Sequence, residues 1–207
     1  MKNQVKFPPS SQLPKEPSSI QSSVNGLTWV SVTSLQQLYA LLDANASNYN
    51  IKLVVGNTSS GVYKDSGYNY FIDISAVPEL KAVSMTNTGP VIGAAVTISD
   101  LIVLLQNWAS DPQYQSYQTA PFTALANHML KIANYPVRNA ASWAGNLRMA
   151  HDEDANGQGG FPSDMLTILM GSGASIVIGN SLGTKTVSLT EFRTVDMTRS
   201  VILSVFI

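Results

Sequence analysis

Ile51-Lys52-Leu53-Val54-Val55 runs without a break into Gly56-Asn57-Thr58-Ser59-Ser60-Gly61. Branched apolar residues that end at a glycine describe a buried strand stopping in a turn. The six residues that follow are small or turn-tolerant. Gly56 and Gly61 take positive φ without strain and let another group approach the backbone closely, and Gly56 is expected at positive φ. Asn57 tolerates the left-handed region. Such a turn aims several N–H groups into one concavity, which suits phosphate oxygens, and Thr58, Ser59 and Ser60 add hydroxyls. An ordinary strand-to-loop turn has the same composition, so the loop alone does not decide between the two.

Two stricter phosphate motifs are excluded. A nucleoside-triphosphate loop needs Lys and then Ser or Thr after its last glycine, whereas Val62 and Tyr63 follow Gly61. The dinucleotide fingerprint G-x-G-x-x-G is absent. What remains is a loop able to bind a diphosphate through backbone dipoles and hydroxyls, without lysine and without metal.

The 207 residues suffice for one domain or two small subdomains. Charged residues make up only 12% and the net charge is −1, which argues against direct nucleic-acid binding. No apolar run approaches a membrane span, and the first residues lack the apolar core of a signal peptide. With no cysteine in the chain, disulfides and thiolate-ligated iron–sulfur or zinc sites within it are excluded. A cytoplasmic setting fits this composition.

Residues 1–26 hold Pro8, Pro9, Pro14 and Pro17 among many serines, the composition of an extended linker. Residues 27–81 read as strand, helix, strand and a third short strand. Leu27 to Val32 alternates, Thr33 or Ser34 caps a helix through about Leu42, and Phe71 to Ile74 follows the glycine loop. A different texture opens near Ala82, so 82–207 is expected to form a second subdomain. There Val83 to Met85 and Pro90 to Ala95 predict a hairpin. Thr97 opens a helix carrying Leu101 to Leu105. A further helix spans Thr119 to Ala133, with Pro136 at or beyond its end. Asp164 to Met170 predicts a short helix, Ser175 to Gly179 and Lys185 to Leu189 a hairpin, and Ser200 to Ile207 a final strand.

Between these elements lies a second candidate loop, Val137 to Leu147. Its core, Ser142-Trp143-Ala144-Gly145-Asn146, is rich in small residues that let a flat ligand or a diphosphate lie against the backbone; close helix packing explains such a run equally well. His151, Asp152, Glu153 and Asp154 read as a solvated acidic loop rather than a metal site, because consecutive residues rarely converge on one ion. His128, Trp29 and Trp108 read as packing or surface residues. Ser142 lacks the G-x-S-x-G surroundings of a nucleophile, and no catalytic residue is assigned.

Taken together, LVVGNTSSG, VPELKAV, IGAAVTISDL, VRNAASWAGNL and FPSDMLTILMGSGASIVI follow one another in this order. The series resembles the flavin domain of the xanthine dehydrogenase and aldehyde oxidase family of molybdenum hydroxylases, from about Leu27 to Ile207. The resemblance implies an α+β fold of the vanillyl-alcohol oxidase and p-cresol methylhydroxylase type, with FAD held between two subdomains. It assigns the FAD diphosphate loop to Leu53, Val54, Val55, Gly56, Asn57, Thr58, Ser59 and Ser60, the second loop to Ser142, Trp143, Ala144, Gly145 and Asn146, and a later contact to Asp164. Departures are Ala144, where the family usually has glycine, Ser59 and Ser60, where Glu and Ile are frequent, and Ile132, where an aromatic commonly meets the flavin. The stretch from His151 to Phe161 is also longer than usual.

In that family, electrons pass from a molybdopterin-bound molybdenum centre through two iron–sulfur clusters to FAD, and from there to NAD or oxygen. The resemblance therefore implies iron–sulfur and molybdenum domains outside this chain as partners, in an enzyme that is a homodimer. The alternative is a non-catalytic module that keeps the fold and has lost flavin. The chain stops before the family's C-terminal flavin subdomain. The chain is accordingly expected to leave a strand edge and part of the flavin cleft uncovered, and the 207 residues alone to hold FAD weakly or not at all.

Overall fold

In the computed structural model, residues 19–63, 67–155 and 161–207 are described. The elements form two sheets. The first contains β1 (Ile20–Val24), β2 (Leu27–Ser31), β3 (Ile51–Val54) and β4 (Tyr70–Asp73), in the order β1-β2-β4-β3. Strands β2, β4 and β3 are mutually parallel, and β1 is antiparallel to β2. Helix α1 (Leu35–Asn45) makes the crossover from β2, as a parallel pair requires. Ser34 starts it by accepting the Gln37 N–H.

Strand β1 departs from the expected linker. Ile20–Val24 lies within 1–26, yet it pairs with β2 through the two-residue turn Asn25-Gly26, both at positive φ (52° and 79°). Asn-Gly is the strongest short hairpin signal, and it outweighs the weak strand propensity of Gln21-Ser22-Ser23. The prolines at 8, 9, 14 and 17 lie outside the described residues.

The second sheet has the order β5-β6-β9-β7-β8, all antiparallel, from β5 (Val83–Thr86), β6 (Gly89–Gly93), β7 (Ser175–Asn180), β8 (Gly183–Ser188) and β9 (Val201–Phe206). Strand β9 is central, bonded to β6 on one side and β7 on the other. The last strand is not itself an edge: long-range pairing places it in the sheet interior, and β5 and β8 form the edges.

Helices α2 (Ile98–Ser110), α3 (Ser116–Met129), α4 (Tyr135–Ala140), α5 (Trp143–Ala155), α6 (Asp164–Gly171) and the single turn α7 (Leu189–Phe192) complete the second half. Thr97 caps α2 through the Asp100 N–H. Helix α3 begins earlier than expected because the Gln115 N–H donates to the Gln118 side chain and closes the first turn, which leaves Pro121 inside the helix. Pro136 lies beyond the end of that helix, in the first turn of α4, where its missing N–H costs nothing. The expected acidic loop is helical through Ala155. His151 is buried there, its Nε2 2.8 Å from the Val195 carbonyl oxygen and its ring packed on Phe192.

One continuous core joins the halves. Val30, Leu38 and Ile72 from the first sheet and its helix belong to the same buried cluster as Ile92, Leu101, Met129, Trp143 and Leu147. Trp143, fully buried, donates its indole N–H to the Gly93 carbonyl at 2.7 Å and so pins the start of α5 to the end of β6. Trp143→Phe removes that bond and part of the ring. It is expected to lower unfolding free energy by about 2 kcal/mol; a urea midpoint equal to wild type would show that this junction does not carry stability.

Candidate functional site

Three segments meet at the junction of the halves. The first leaves β3 at Val54. Asn57 takes the left-handed conformation (φ 49°) and leads into a single 3-10 turn, Thr58–Gly61. A left-handed residue followed by a helical turn points successive N–H groups to one side, a shape suited to anions. The turn is braced internally: the Ser60 hydroxyl donates to Asn57 Oδ1 at 2.7 Å, and the Val62 and Tyr63 N–H groups return to the Ser59 carbonyl.

Parallel register sets Lys52 beside Phe71 and, one strand on, Trp29, while Leu53 aligns with Ile72 and Val30. The Lys52 ammonium donates to both Ser59 Oγ and Ser60 Oγ at 3.2 Å and lies 5.8 Å from the Tyr68 ring centroid. The diphosphate-type loop thus does have a lysine, supplied from the strand before it rather than from the motif after it. The signal was present in the sequence, since a lysine inside an otherwise apolar strand calls for a partner.

Gly56 has its own reason to be glycine, and the expected positive φ is corrected. It is not among the positive-φ glycines. A Cβ built on it would land on the Ala140 carbonyl oxygen, carbon and Cβ. Gly56 therefore abuts the backbone at the end of α4, the entry to the second segment.

That second segment is not a loop. Ser142 forms a single β-bridge with Thr97, and Trp143, Ala144, Gly145 and Asn146 are the first turn of α5. Ser142 Oγ accepts the Gly145 N–H at 3.1 Å, and the Trp143 N–H reaches the Val96 carbonyl at 3.4 Å. These bonds occupy two of the amides that a helix N-terminus would otherwise offer an anion. Ala144 is buried without positive φ, so its methyl is accommodated. The small residues serve close packing and a helix start together, which their composition did not reveal.

The third segment holds Ser163 and Asp164 at the start of α6. Ser163 Oγ accepts the Leu166 N–H at 2.9 Å and donates to Asn146 Oδ1 at 2.5 Å, while Asp164 is exposed. Tyr63, just after the first loop, meets Phe161 edge-on at 5.4 Å. Contacts thus link the first segment to the second, the second to the third, and the third back to the first. Leu53 and Val55 are half-buried and Val54 is buried, so their side chains pack, and any ligand contact there belongs to the backbone. Ile132 is also buried, and its carbonyl accepts from Arg138 at 2.9 Å.

A separate polar cleft of about 450 Å³ lies by the second half of α5 and is lined in part by Arg148, His151, Asp152, Arg193 and Asp196. Burial pushes the Asp152 carboxyl up; the His151 hydrogen bond, then the charge and bond of Arg148 (Nε to Oδ1, 2.6 Å), outweigh it and hold the group below its ordinary value of 3.8.

The chain matches the family described as FAD binding domain in molybdopterin dehydrogenase over residues 22–207, and it belongs to that family. It is 38% identical to an abscisic-aldehyde oxidase of Arabidopsis thaliana over 165 residues, 79% of this chain and 11% of that protein. It is 40% identical to a probable aldehyde oxidase 4 of Oryza sativa subsp. japonica over 166 residues, 79% of this chain and 19% of that one. The chain thus spans about a tenth to a fifth of the length of these relatives, which are oxidoreductases. Its fold is shared with quinoline 2-oxidoreductase from Pseudomonas putida 86 (TM-score 0.63, 21% identity, 84% of this chain and 56% of the other). It is also shared with a carbon monoxide dehydrogenase from Hydrogenophaga pseudoflava (TM-score 0.65, 21% identity, 86% and 57%). FAD is the cofactor that defines the family.

Two measurements check this geometry. Gly56→Ala is expected to destabilise the protein by about 1–3 kcal/mol, because a methyl has no room against Ala140; unchanged denaturant unfolding would contradict the close approach. Asp152, with its pKa depressed in the fold, contributes stability that is present above its unfolded value and lost as pH falls through the lower folded one. Asp152→Asn should therefore flatten the decline in Tm as pH falls below about 4, and an acid limb identical to wild type would contradict that.

Proposed function

We propose that the chain is the flavin-holding part of a molybdenum hydroxylase and receives electrons from iron–sulfur clusters for delivery to NAD or oxygen. Molybdopterin and the clusters belong to other domains of the same assembly, a cytoplasmic homodimer. The fold is of the vanillyl-alcohol oxidase and p-cresol methylhydroxylase type. Among the described residues no helix is long and apolar enough to cross a membrane.

The observation that carries this reading is the Lys52 ammonium set against the Ser59 and Ser60 hydroxyls beneath a left-handed Asn57. That donor set fits the anionic diphosphate of FAD: a fixed cation, the Ser59 hydroxyl and converging N–H groups. Lys52 neutralises charge, Thr58 and Ser59 donate to oxygens, and Gly56 brings the second segment close enough for Gly145 and Asn146 to share the ligand. Asp164 lies at the far side, beside the Asn146 partner Ser163. Bound FAD supplies the electron-carrying chemistry, and the chain's residues bind and orient it. One observation favours the alternative of a fold-retaining module without flavin: Ile132 is buried and aliphatic where the family's aromatic contact is implied.

Titration with FAD, followed by flavin fluorescence, separates the readings. Wild type is expected to bind weakly, and Lys52→Gln about tenfold more weakly still, as loss of one charge-assisted contact worth ~1.4 kcal/mol dictates. Absence of wild-type binding at millimolar FAD would count against the flavin reading and favour the module without flavin. Equal affinity of the two proteins would remove Lys52 from the site.

A further inference from the structure

We propose that Ser163 is a positioning residue for the cofactor site: its hydroxyl fixes the Asn146 amide so that Nδ2, and not Oδ1, is presented to the ligand. The inference rests on the flavin reading above and deepens it.

The argument is one of hydrogen-bond capacity. A serine hydroxyl has one hydrogen to give. Ser163 Oγ already accepts the Leu166 N–H as the cap of α6, and its hydrogen goes to Asn146 Oδ1 at 2.5 Å. Ser163 is buried, with 6% of its surface exposed, so water does not compete for that hydrogen. Asn146 Oδ1 is thereby occupied, and the two Nδ2 hydrogens are what the side chain has left to donate. An anionic ligand needs donors. A freely rotating amide would present oxygen part of the time and repel phosphate or other electron-rich oxygens. The same bond joins α5 to α6 next to Asp164, so the second and third segments keep a fixed relation.

The test uses Ser163→Gly and Ser163→Thr. Glycine is well tolerated at an N-cap in place of serine, adds no charge and removes the hydroxyl; threonine keeps it. Ser163→Gly is expected to bind FAD about fivefold more weakly, the loss of roughly one net hydrogen bond, with Tm within a degree or two of wild type. Ser163→Thr should restore wild-type affinity. In parallel, the Asn146 side-chain amide protons, followed by ¹⁵N NMR without FAD, should shift and broaden in Ser163→Gly and remain sharp in Ser163→Thr. Wild-type FAD affinity in Ser163→Gly would overturn the proposal. So would a loss of affinity that Ser163→Thr shares, or an Asn146 amide signal unchanged by the glycine. If wild type itself fails to bind FAD, the flavin reading fails, while the NMR arm still decides whether Ser163 orders the amide.

Discussion

The backbone of Gly56 lies so close to that of Ala140 that no side-chain carbon fits between them, and the rest of the site depends on that approach. It joins the turn after β3 to the chain entering α5. Two further contacts hold the halves in the same relation. Tyr39 from α1 packs its hydroxyl where a Cβ on Gly179 would stand, and the Arg199 guanidinium donates to Ser47 Oγ at 2.8 Å. Because the cores of both halves merge into one cluster, these contacts are held by close packing on either side.

Within the site, most of the side-chain hydroxyls already have partners in the protein. Ser60 is committed to Asn57, Ser142 to the first turn of α5, and Ser163 to both Asn146 and Leu166. A site braced in this way is preorganised: its donors do not need to be ordered when a ligand arrives, which lowers the entropic cost of binding.

Much of the fold was legible because its strands are apolar and its first helices are capped by Ser34 and Thr97. The region from Val137 to Ala155 was not. Ser142, Ala144, Gly145 and Asn146 look like a loop because small residues serve turns and tight helix contacts equally, and only the indole bond of Trp143 to Gly93 decides between them. Asp152 and its acidic neighbours look solvated until Arg148, four residues earlier on the same helix, is brought against Asp152. Strand β1 is too polar to announce itself except through Asn25-Gly26. At the site, the loop from Gly56 to Ser60 was readable as a chemical type. Lys52 stands out in its apolar strand, but its pairing with Ser59 and Ser60 does not, and the pairing of Ser163 with Asn146 spans a helix junction that only the fold makes. Gly56 was read for backbone freedom, whereas its packing against a residue 84 positions away explains it.

The central position of β9 bears on the order in which the second half can be assembled. Hairpin β5–β6 and hairpin β7–β8 are local and close quickly, yet neither touches the other in the sheet; β9 alone bridges them. During synthesis both hairpins therefore wait with an inner edge unpaired until Val201–Phe206 has left the ribosome. Gly93 and Gly179, which face β9 in the finished sheet, stand on those waiting edges. Glycine is among the residues least given to strand formation, and in these two places it weakens the template that another chain would otherwise extend.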